Sequence, residues 1–201
     1  MDNFILELPG LVPPNLCKEV IKGFENSSEK ESGFMIYSGI KRSKCNEQLN
    51  ISDLVKWRDT HTKITHYMRQ AFMAYLDNLR EHFDFKGKCH TFDRILDITG
   101  VQEPGLLVQK IKRGDKFEWH HDGFPGDTTF VQMILYLNTL ESSDGGCTEF
   151  VNGRKVRPEV GKILVFPSSW TFPHMGNEVN CDSKYICTTI LIPEFACLRS
   201  A

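Results

Sequence analysis

The chain has 201 residues, 40% of them hydrophobic and 11% aromatic, which is the size of one ordinary domain with a sizeable buried core. Its 24 Lys and Arg against 26 Asp and Glu give a net charge of −2, so no overall positive field favours nucleic acid as a partner. No apolar run approaches the ~20 residues that span a bilayer, so we expect neither a transmembrane helix nor a membrane partner.

The first residues and the cysteines indicate a reducing compartment. Asp2 and Glu7 stand where a secretory leader would carry basic residues, and prolines break any helical core in Met1–Pro14. We therefore expect mature sequence and an intracellular, cytoplasmic protein. The 7 cysteines are scattered and include no Cys-x-x-Cys pair, so we predict free thiols rather than a disulfide framework or a cysteine zinc site.

Two helices are predicted in the first half of the chain. Asn15 is a candidate cap for the first helix, which would end near Asn26, and Ser52 is a candidate cap for a longer one. Between them, Ser38–Asn50 is polar and basic and is predicted to be a mobile loop, with a lid as the alternative. The apolar stripe that predicts the longer helix and its core-facing side comprises Trp57, Ile64, Met68, Phe72, Tyr75, Leu79 and Phe83.

From Leu106 onward the pattern changes to short strands separated by glycine-rich turns. Helices followed by strands predict an α+β domain built on a sandwich or a barrel. Without a repeat or a linker, we expect residues 1–201 to form one domain, with helical support and a loop in 1–103 and a strand core in 104–193. The predicted strands are Leu106–Lys112, Lys116–His121, Phe130–Asn138, Cys147–Asn152, Ile163–Phe166 and Tyr185–Pro193.

Three side chains form a candidate metal site. His120 and Asp122 are two residues apart, so both leave the same face of an extended strand, whereas His121 points to the opposite face. His174 is a third candidate donor, far away in the sequence but near a strand that could lie opposite. Two imidazoles and one carboxylate suit ferrous iron with open coordination positions, and the same three ligands would also hold zinc with an activated water.

Lys184 begins an apolar strand, where a buried charge is costly unless it is paired. It is a candidate anchor for an acidic cosubstrate. Further motifs follow one another along the second half of the chain: Gly114, Phe117, His120-x-Asp122, Tyr136-Leu137-Asn138, Gly145-Gly146-x-Thr148-x-Phe150, Pro158-x-x-Gly161, Phe166, His174 and Lys184.

This ordered set resembles the catalytic domain of 2-oxoglutarate- and Fe(II)-dependent dioxygenases, prolyl 4-hydroxylase branch, over about residues 104–193. The resemblance implies a double-stranded β-helix, or jelly roll, with the N-terminal helices packed against it. It implies that His120, Asp122 and His174 bind Fe(II), that Lys184 pairs with the far carboxylate of 2-oxoglutarate, and that Thr148 donates a hydrogen bond to this cosubstrate. The resemblance also implies dioxygen as the second cosubstrate, and ascorbate is an expected further requirement.

The reaction implied is hydroxylation of an aliphatic carbon with release of succinate and carbon dioxide, on a prolyl residue of a peptide or protein. Three positions depart from the prolyl hydroxylase pattern: Ile111 replaces a tyrosine, Thr129 an arginine and Ile190 a tryptophan. Two alternatives remain. One is the same chemistry on a free amino acid, a small metabolite or a nucleobase, and the other is a non-catalytic jelly-roll binding module. The sequence gives no indication of the oligomeric state.

Overall fold

Two helices and twelve strands make up the computed structural model of the chain, which describes residues 2–37, 40–83, 101–102, 105–123 and 131–193. The helices are α1 (Pro14–Glu25) and α2 (Arg58–His82), and single 3₁₀ turns lie at Asp2–Phe4, Val55–Trp57 and Ser142–Asp144. The strands are β1 (Leu6–Leu8), β2 (Glu31–Tyr37), β3 (Ile40–Asn50), β4 (Val101–Gln102), β5 (Leu107–Lys112), β6 (Phe117–His120), β7 (Val131–Tyr136), β8 (Thr148–Phe150), β9 (Lys155–Val156), β10 (Ile163–Pro167), β11 (His174–Gly176) and β12 (Ser183–Pro193).

The strands form two antiparallel sheets. The major sheet has the order β1-β10-β7-β12-β5-β3-β2, with β4 paired to β12, and the minor sheet has the order β6-β11-β8-β9. Two sheets with crossing connections and helices against one of them form the predicted jelly-roll core, so the fold class is confirmed. Each of the six predicted strands is present, with each end within two residues of its predicted position.

The major sheet carries a different apolar cluster on each face. One cluster lies between the sheets and contains Tyr136, Phe150 and Phe166. The other lies between the major sheet and the helices, and it includes most of the apolar stripe predicted for the long helix. Helix α2 therefore packs against the outer face of the sheet and leaves the inner face to the cleft between the sheets.

Both predicted helix caps are wrong. Helix α1 begins with Pro14, a residue favoured in the first turn because it has no backbone N–H that needs a partner. The residue at the N-cap position is Pro13, which forms no side-chain capping hydrogen bond. The hydroxyl of Ser52 instead accepts a hydrogen bond from the backbone N–H of Leu106 at 2.8 Å. Helix α2 starts later, at Arg58, after a 3₁₀ turn.

The predicted loop at Ser38–Asn50 is also wrong over its described part. Strand β3 pairs with β2 on one side and with β5 on the other, and Asn46 and Gln48 of β3 are buried. Polar residues on the buried side of a strand conceal the apolar alternation by which strands are recognised in sequence. The lid alternative concerned Lys41, Arg42 and Lys44, whose side chains lie outside the described residues, as does Thr129.

The first strand is held to the sheet by charge as well as by pairing. Lys162, almost fully buried, donates hydrogen bonds to Glu7 at 3.0 Å and to Glu159 at 2.9 Å. Arg154 pairs with Glu7 from the other side at 3.0 Å. This cluster fixes the register of β1 beside β10. Among the described residues, we find no helix with the length and apolar character needed to cross a membrane.

Candidate metal centre

The structure brings the three predicted ligands together. His120 ends strand β6 and His174 begins β11, and the two residues are direct partners across the antiparallel ladder. Asp122 follows two residues after His120. Its carboxylate oxygens lie 3.6 Å from Nε2 of His120 and 3.4 Å from Nε2 of His174. One ligand atom from each residue lies within 4.8 Å of the other two, a spacing that a single metal ion can bridge.

The backbone sets the orientation of both imidazole rings. Nδ1 of His120 lies 2.7 Å from the carbonyl oxygen of Glu118, and Nδ1 of His174 lies 3.3 Å from that of Phe172. A carbonyl only accepts, so Nδ1 of each ring carries the proton and donates it. In a neutral ring, Nε2 then keeps its lone pair and faces Asp122, which is the tautomer that a metal ligand needs.

The surroundings of the Asp122 carboxylate make an uncompensated negative charge energetically costly. The ring of His174 packs against Phe166 and Phe150, with centroids 4.8 and 5.9 Å away, so this side of the site is apolar. Oδ2 of Asp122 is buried and has no hydrogen-bond partner within the described part of the chain. A buried carboxylate oxygen requires a compensating charge. Together with two imidazole Nε2 atoms, it forms a donor set that fits a divalent cation of the iron and zinc class.

Lys184 is a buried ammonium group in the same cleft. It is 3% exposed, and its Nζ donates a hydrogen bond to the carbonyl oxygen of Gly146 at 2.6 Å and lies 5.5 Å from the ring centre of Tyr136. Burial lowers the pKa of Lys184 to about 8, although the Cys147 thiol nearby opposes the shift. No carboxylate among the described residues forms an ion pair with it, so the ammonium is available to an acidic ligand.

Thr148 lies next to this ammonium group, on strand β8. Its hydroxyl and the hydroxyl of Tyr136 are 2.7 Å apart, and both residues are buried. Burial raises the pKa of Tyr136, so its phenol stays protonated and keeps a proton to donate. One of the two hydroxyls donates its proton to the other, so the pair offers one remaining hydroxyl donor beside the Lys184 ammonium, a combination that fits a carboxylate.

Asn138 holds the first residues of strand β12 in place. Its amide Nδ2 donates to the carbonyl oxygen of Ser183 at 2.9 Å, and its Oδ1 accepts from the N–H of Tyr185 at 2.8 Å. These two residues flank Lys184. The Tyr136-Leu137-Asn138 motif therefore supplies one hydroxyl to the cluster and fixes the backbone that carries the ammonium.

A cleft of about 340 Å³ joins the metal centre to the Lys184 cluster. Its floor is the inner face of the major sheet, where Ile134 of β7 and Ile186 of β12 give an apolar surface. Among the described residues that line it, the charged or titratable side chains are those of Lys184 and the three predicted metal ligands. The cleft therefore holds one cationic end, one metal-binding end and an apolar floor.

Sequence reasoning assigned no site role to Tyr136, Gln132 or Gln109, although all three face the inside of the jelly roll. The strand pattern could have placed Tyr136 and Gln132 on the inner face, because alternate residues of a strand share one face and Ile134 lies between them in the alternation. His121 is exposed and outside the cluster, as the alternation predicted.

Comparison with known proteins supports the expected resemblance. Residues 106–191 match the family model described as the 2OG-Fe(II) oxygenase superfamily. No curated protein sequence matches the chain. Among solved structures, a Trichoplax adhaerens prolyl hydroxylase in complex with a hypoxia inducible factor peptide fragment has a TM-score of 0.72 at 17% identity, and the match covers 96% of this chain and 84% of that one.

Two further solved structures share the fold. A viral collagen prolyl hydroxylase from Paramecium Bursaria Chlorella virus-1, in a 2OG complex, has a TM-score of 0.62 at 17% identity, over 94% of this chain and 96% of that one. A Pseudomonas putida prolyl-4-hydroxylase has a TM-score of 0.62 at 18% identity, over 94% and 92%. The matched sequence region includes both histidines, the aspartate and the lysine of the cleft.

Proposed function

We propose, from the match of residues 106–191 to the family model of the 2OG-Fe(II) oxygenase superfamily, that this chain is an enzyme of that kind and hydroxylates an aliphatic carbon of a prolyl residue in a peptide or protein. Enzymes of this family use Fe(II), 2-oxoglutarate and dioxygen. The proposal includes one catalytic domain formed by the whole chain. The observation that carries it is the convergence, in one cleft, of the His120, Asp122 and His174 cluster with the buried Lys184 ammonium, which forms no ion pair with a carboxylate of the described residues.

His120, Asp122 and His174 would hold the iron. The two carbonyl-bonded Nδ1 atoms leave both Nε2 atoms facing the carboxylate, so the three ligands are oriented before the ion arrives. Three protein ligands leave positions for a chelating cosubstrate and for dioxygen. The iron would compensate the charge of the buried Oδ2 of Asp122, which accepts no hydrogen bond from the described residues.

Lys184 and Thr148 would hold 2-oxoglutarate by its far carboxylate. The buried Lys184 ammonium supplies a positive charge that pairs with no carboxylate of the described residues, and the hydrogen-bonded hydroxyls of Thr148 and Tyr136 add one further donor. A charge-assisted hydrogen bond in such a dry site is strong and directional. The separation between this cluster and the metal ligands directs the opposite, keto-acid end of the cosubstrate towards the metal centre.

When bound, the iron and the cosubstrate supply the oxidising chemistry that hydroxylates the C–H bond, with release of succinate and carbon dioxide. The contribution of this chain is placement and exclusion of water. Ile134 and Ile186 cover the floor of the cleft, and Phe166 and Phe150 cover one side of His174. This apolar lining protects the reaction from bulk solvent.

The charged side chains that line the cleft favour a peptide over a free amino acid as the substrate. A free amino acid brings an ammonium and a carboxylate, and each needs a partner when it is buried. The charged and titratable groups that line the described cleft are already assigned to iron and 2-oxoglutarate. A prolyl residue within a peptide carries neither charge. The solved prolyl hydroxylase with a peptide bound supports the same substrate class.

The test is aerobic incubation with Fe(II), ascorbate and 2-oxoglutarate, together with a library of acetylated, amidated pentapeptides that have proline at the centre. We expect succinate formation and a peptide mass increase of one oxygen atom, both abolished in His174→Ala. Oxidation of a free amino acid or small metabolite in preference to every peptide would reject the prolyl substrate. Absence of peptide-dependent succinate above the His174→Ala background would reject the activity on peptides.

A further inference from the structure

Strand β7 carries one buried side-chain amide in an otherwise apolar run. All six residues of β7 are buried, and Gln132 is 7% exposed. Its Oε1 atom is buried and has no hydrogen-bond partner among the residues that the structure describes. An amide oxygen in this position costs free energy compared with an apolar side chain of similar size. Such a cost in a cleft wall points to a ligand that supplies the missing donor.

The strand register places Gln132 at the metal end of the cleft. Gln132 is opposite Phe166 on β10 and opposite Ile190 on β12. Phe166 in turn packs edge-on against the ring of His174. Lys184 lies six residues before Ile190 on β12, at the other end of the cleft. Gln132 therefore lies beside the metal ligands, where the reacting carbon of a substrate would bind. It is distant from Lys184, where the far carboxylate of 2-oxoglutarate would bind.

The cosubstrate cannot satisfy this atom. The oxygens of ionised 2-oxoglutarate only accept hydrogen bonds, so Oε1 of Gln132 requires a donor from another molecule. A second buried glutamine, Gln109, lines the same cleft from strand β5 and is 4% exposed. Side-chain amides beside an apolar floor match the main chain of a peptide, which alternates amide groups with apolar carbon.

We propose that Gln132 determines substrate specificity by accepting a hydrogen bond from a main-chain amide N–H of the peptide, close to the residue that is hydroxylated. This inference rests on the proposed function, because it names the group of the peptide that the same cleft recognises. Gln109, on strand β5, adds a second buried side-chain amide to the lining of the same cleft. A site built around a buried acceptor rejects a ligand that lacks the donor, because the acceptor then stays unpaired.

The proposal predicts a stability signature as well as a kinetic one. An amide that waits for a substrate contributes nothing favourable to the fold of the free protein. Gln132→Leu should therefore leave the thermal midpoint of the substrate-free protein unchanged or raise it, since an unpaired buried acceptor is removed. Gln70→Leu, on the exposed side of α2 and away from the cleft, is the control for a Gln-to-Leu change.

The kinetic test uses the best-hydroxylated pentapeptide of the proline-centred library and its analogues in which one main-chain amide at a time is N-methylated. For the wild type and Gln70→Leu, we expect one of these analogues to lose about 10- to 100-fold in kcat/KM. For Gln132→Leu, we expect the parent peptide and that analogue to differ by less than about threefold. The KM for 2-oxoglutarate should be unchanged in both variants.

Three results would overturn the assignment of Gln132 while the proposed function stands: the same N-methyl discrimination in Gln132→Leu as in the wild type, a raised KM for 2-oxoglutarate, or a lowered thermal midpoint. Unchanged N-methyl discrimination would mean that another residue accepts the peptide hydrogen bond. A raised KM would mean that Gln132 binds 2-oxoglutarate, and a lowered thermal midpoint would mean that Gln132 stabilises the fold. A wild-type protein that hydroxylates no peptide of the library would instead overturn the proposed substrate, and this inference with it.

Discussion

His120 and His174 are directly opposed on two antiparallel strands, and their imidazole rings lie 4.4 Å apart between centroids. Opposed residues of a ladder are held at a spacing that the backbone hydrogen bonds fix. The pairing of β6 with β11 therefore determines the separation of two metal ligands that are distant in sequence. Asp122 needs only to turn back towards them to complete the set.

The first prediction concerns the metal. Asp122→Asn and His174→Ala should each weaken Mn(II) or Fe(II) binding at least about 100-fold, because each removes one of three ligands. Metal titration followed by calorimetry, under anaerobic conditions for Fe(II), measures the change. His121→Ala is the matched control, since this neighbouring histidine is exposed and outside the cluster. An equal loss in the His121 variant would show that the site lies elsewhere.

The second prediction separates two buried lysines. Lys184→Met should raise the dissociation constant of 2-oxoglutarate by more than about 100-fold and leave the thermal midpoint unchanged or higher, since it removes a buried ammonium that pairs with no carboxylate of the described residues. Lys162→Met should destabilise the protein by about 2 kcal/mol, because it leaves the partly buried carboxylate of Glu7 without one of its two cations.

The Lys162 variant should keep the wild-type affinity for 2-oxoglutarate. Isothermal calorimetry and thermal melts on both proteins measure the two effects. Loss of cosubstrate affinity in Lys162→Met together with normal affinity in Lys184→Met would contradict the assignment of the ammonium in the cleft.

The third prediction is a pH dependence with a defined sign. Burial lowers the pKa of Lys184 to about 8, and the protonated form is the one that binds a carboxylate. The affinity for 2-oxoglutarate should be constant below pH 8 and should fall about tenfold per pH unit above it. The arginine of Lys184→Arg keeps its charge throughout this pH range, so the affinity of this variant for 2-oxoglutarate should not depend on pH. A wild-type affinity that is flat to pH 9.5 would contradict the assignment.

The same pKa has a consequence for the stability of the protein without cosubstrate. The unfolded chain, with an ordinary lysine pKa of 10.5, binds the Lys184 proton more strongly than the folded chain does. The contribution of this group to the free energy of unfolding therefore rises between pH 8 and pH 10.5. Lys184→Met should lack this contribution in a comparison of pH-dependent denaturation.

The fourth prediction concerns the two hydroxyls beside Lys184. Thr148→Val keeps the shape of the side chain but removes one donor from the cluster, and the Tyr136 hydroxyl loses its partner at 2.7 Å. We expect the KM for 2-oxoglutarate to rise about 5- to 30-fold with a smaller effect on kcat. Thr139→Val, whose hydroxyl accepts from the N–H of Val160 away from the cleft, is the control and should keep the wild-type KM.

The fifth prediction is a test of the fold. A Cβ on Gly161, which has a φ of +80°, would lie 2.1 Å from the carbonyl oxygen of Val12, so the backbone would have to move. Gly161→Ala should destabilise the protein by well over ~2 kcal/mol, because steric overlap adds to the cost of a left-handed φ. Gly153→Ala, at a similar φ but in open space, should cost only about 1–2 kcal/mol. Chemical denaturation distinguishes the two.

The α+β sandwich-or-barrel class and the candidate cluster of His120, Asp122 and His174 could be predicted from short, regular spacings in the sequence, whereas the jelly roll was implied by the family resemblance. A two-residue step places two ligands on one face, and apolar strands between glycine turns are recognisable without a structure. The pairing of β6 with β11 was not predictable in the same way, since β11 is only three residues long and lies in a polar, proline-containing segment.

The β2–β3 hairpin was missed for a different reason. Buried positions of β3 carry Asn46 and Gln48, so hydrophobic periodicity predicts a loop where backbone pairing with β5 makes a strand. The helix starts were missed because capping preferences are local, whereas the hydroxyl of Ser52 bonds to Leu106, far along the chain. Gln132 is a similar case, because nothing in a sequence shows which buried amide lacks a partner.

The position of β1 has a practical consequence for anyone who shortens this chain. Strand β1 is the outermost strand on its side of the major sheet, paired to β10 and fastened through Glu7. Its removal would leave the row of N–H and C=O groups along β10 open to a strand from another molecule, which is a common route to aggregation. Versions that start after Leu8 should self-associate, so an affinity tag belongs ahead of Asp2 and any cleavage site should lie outside this strand.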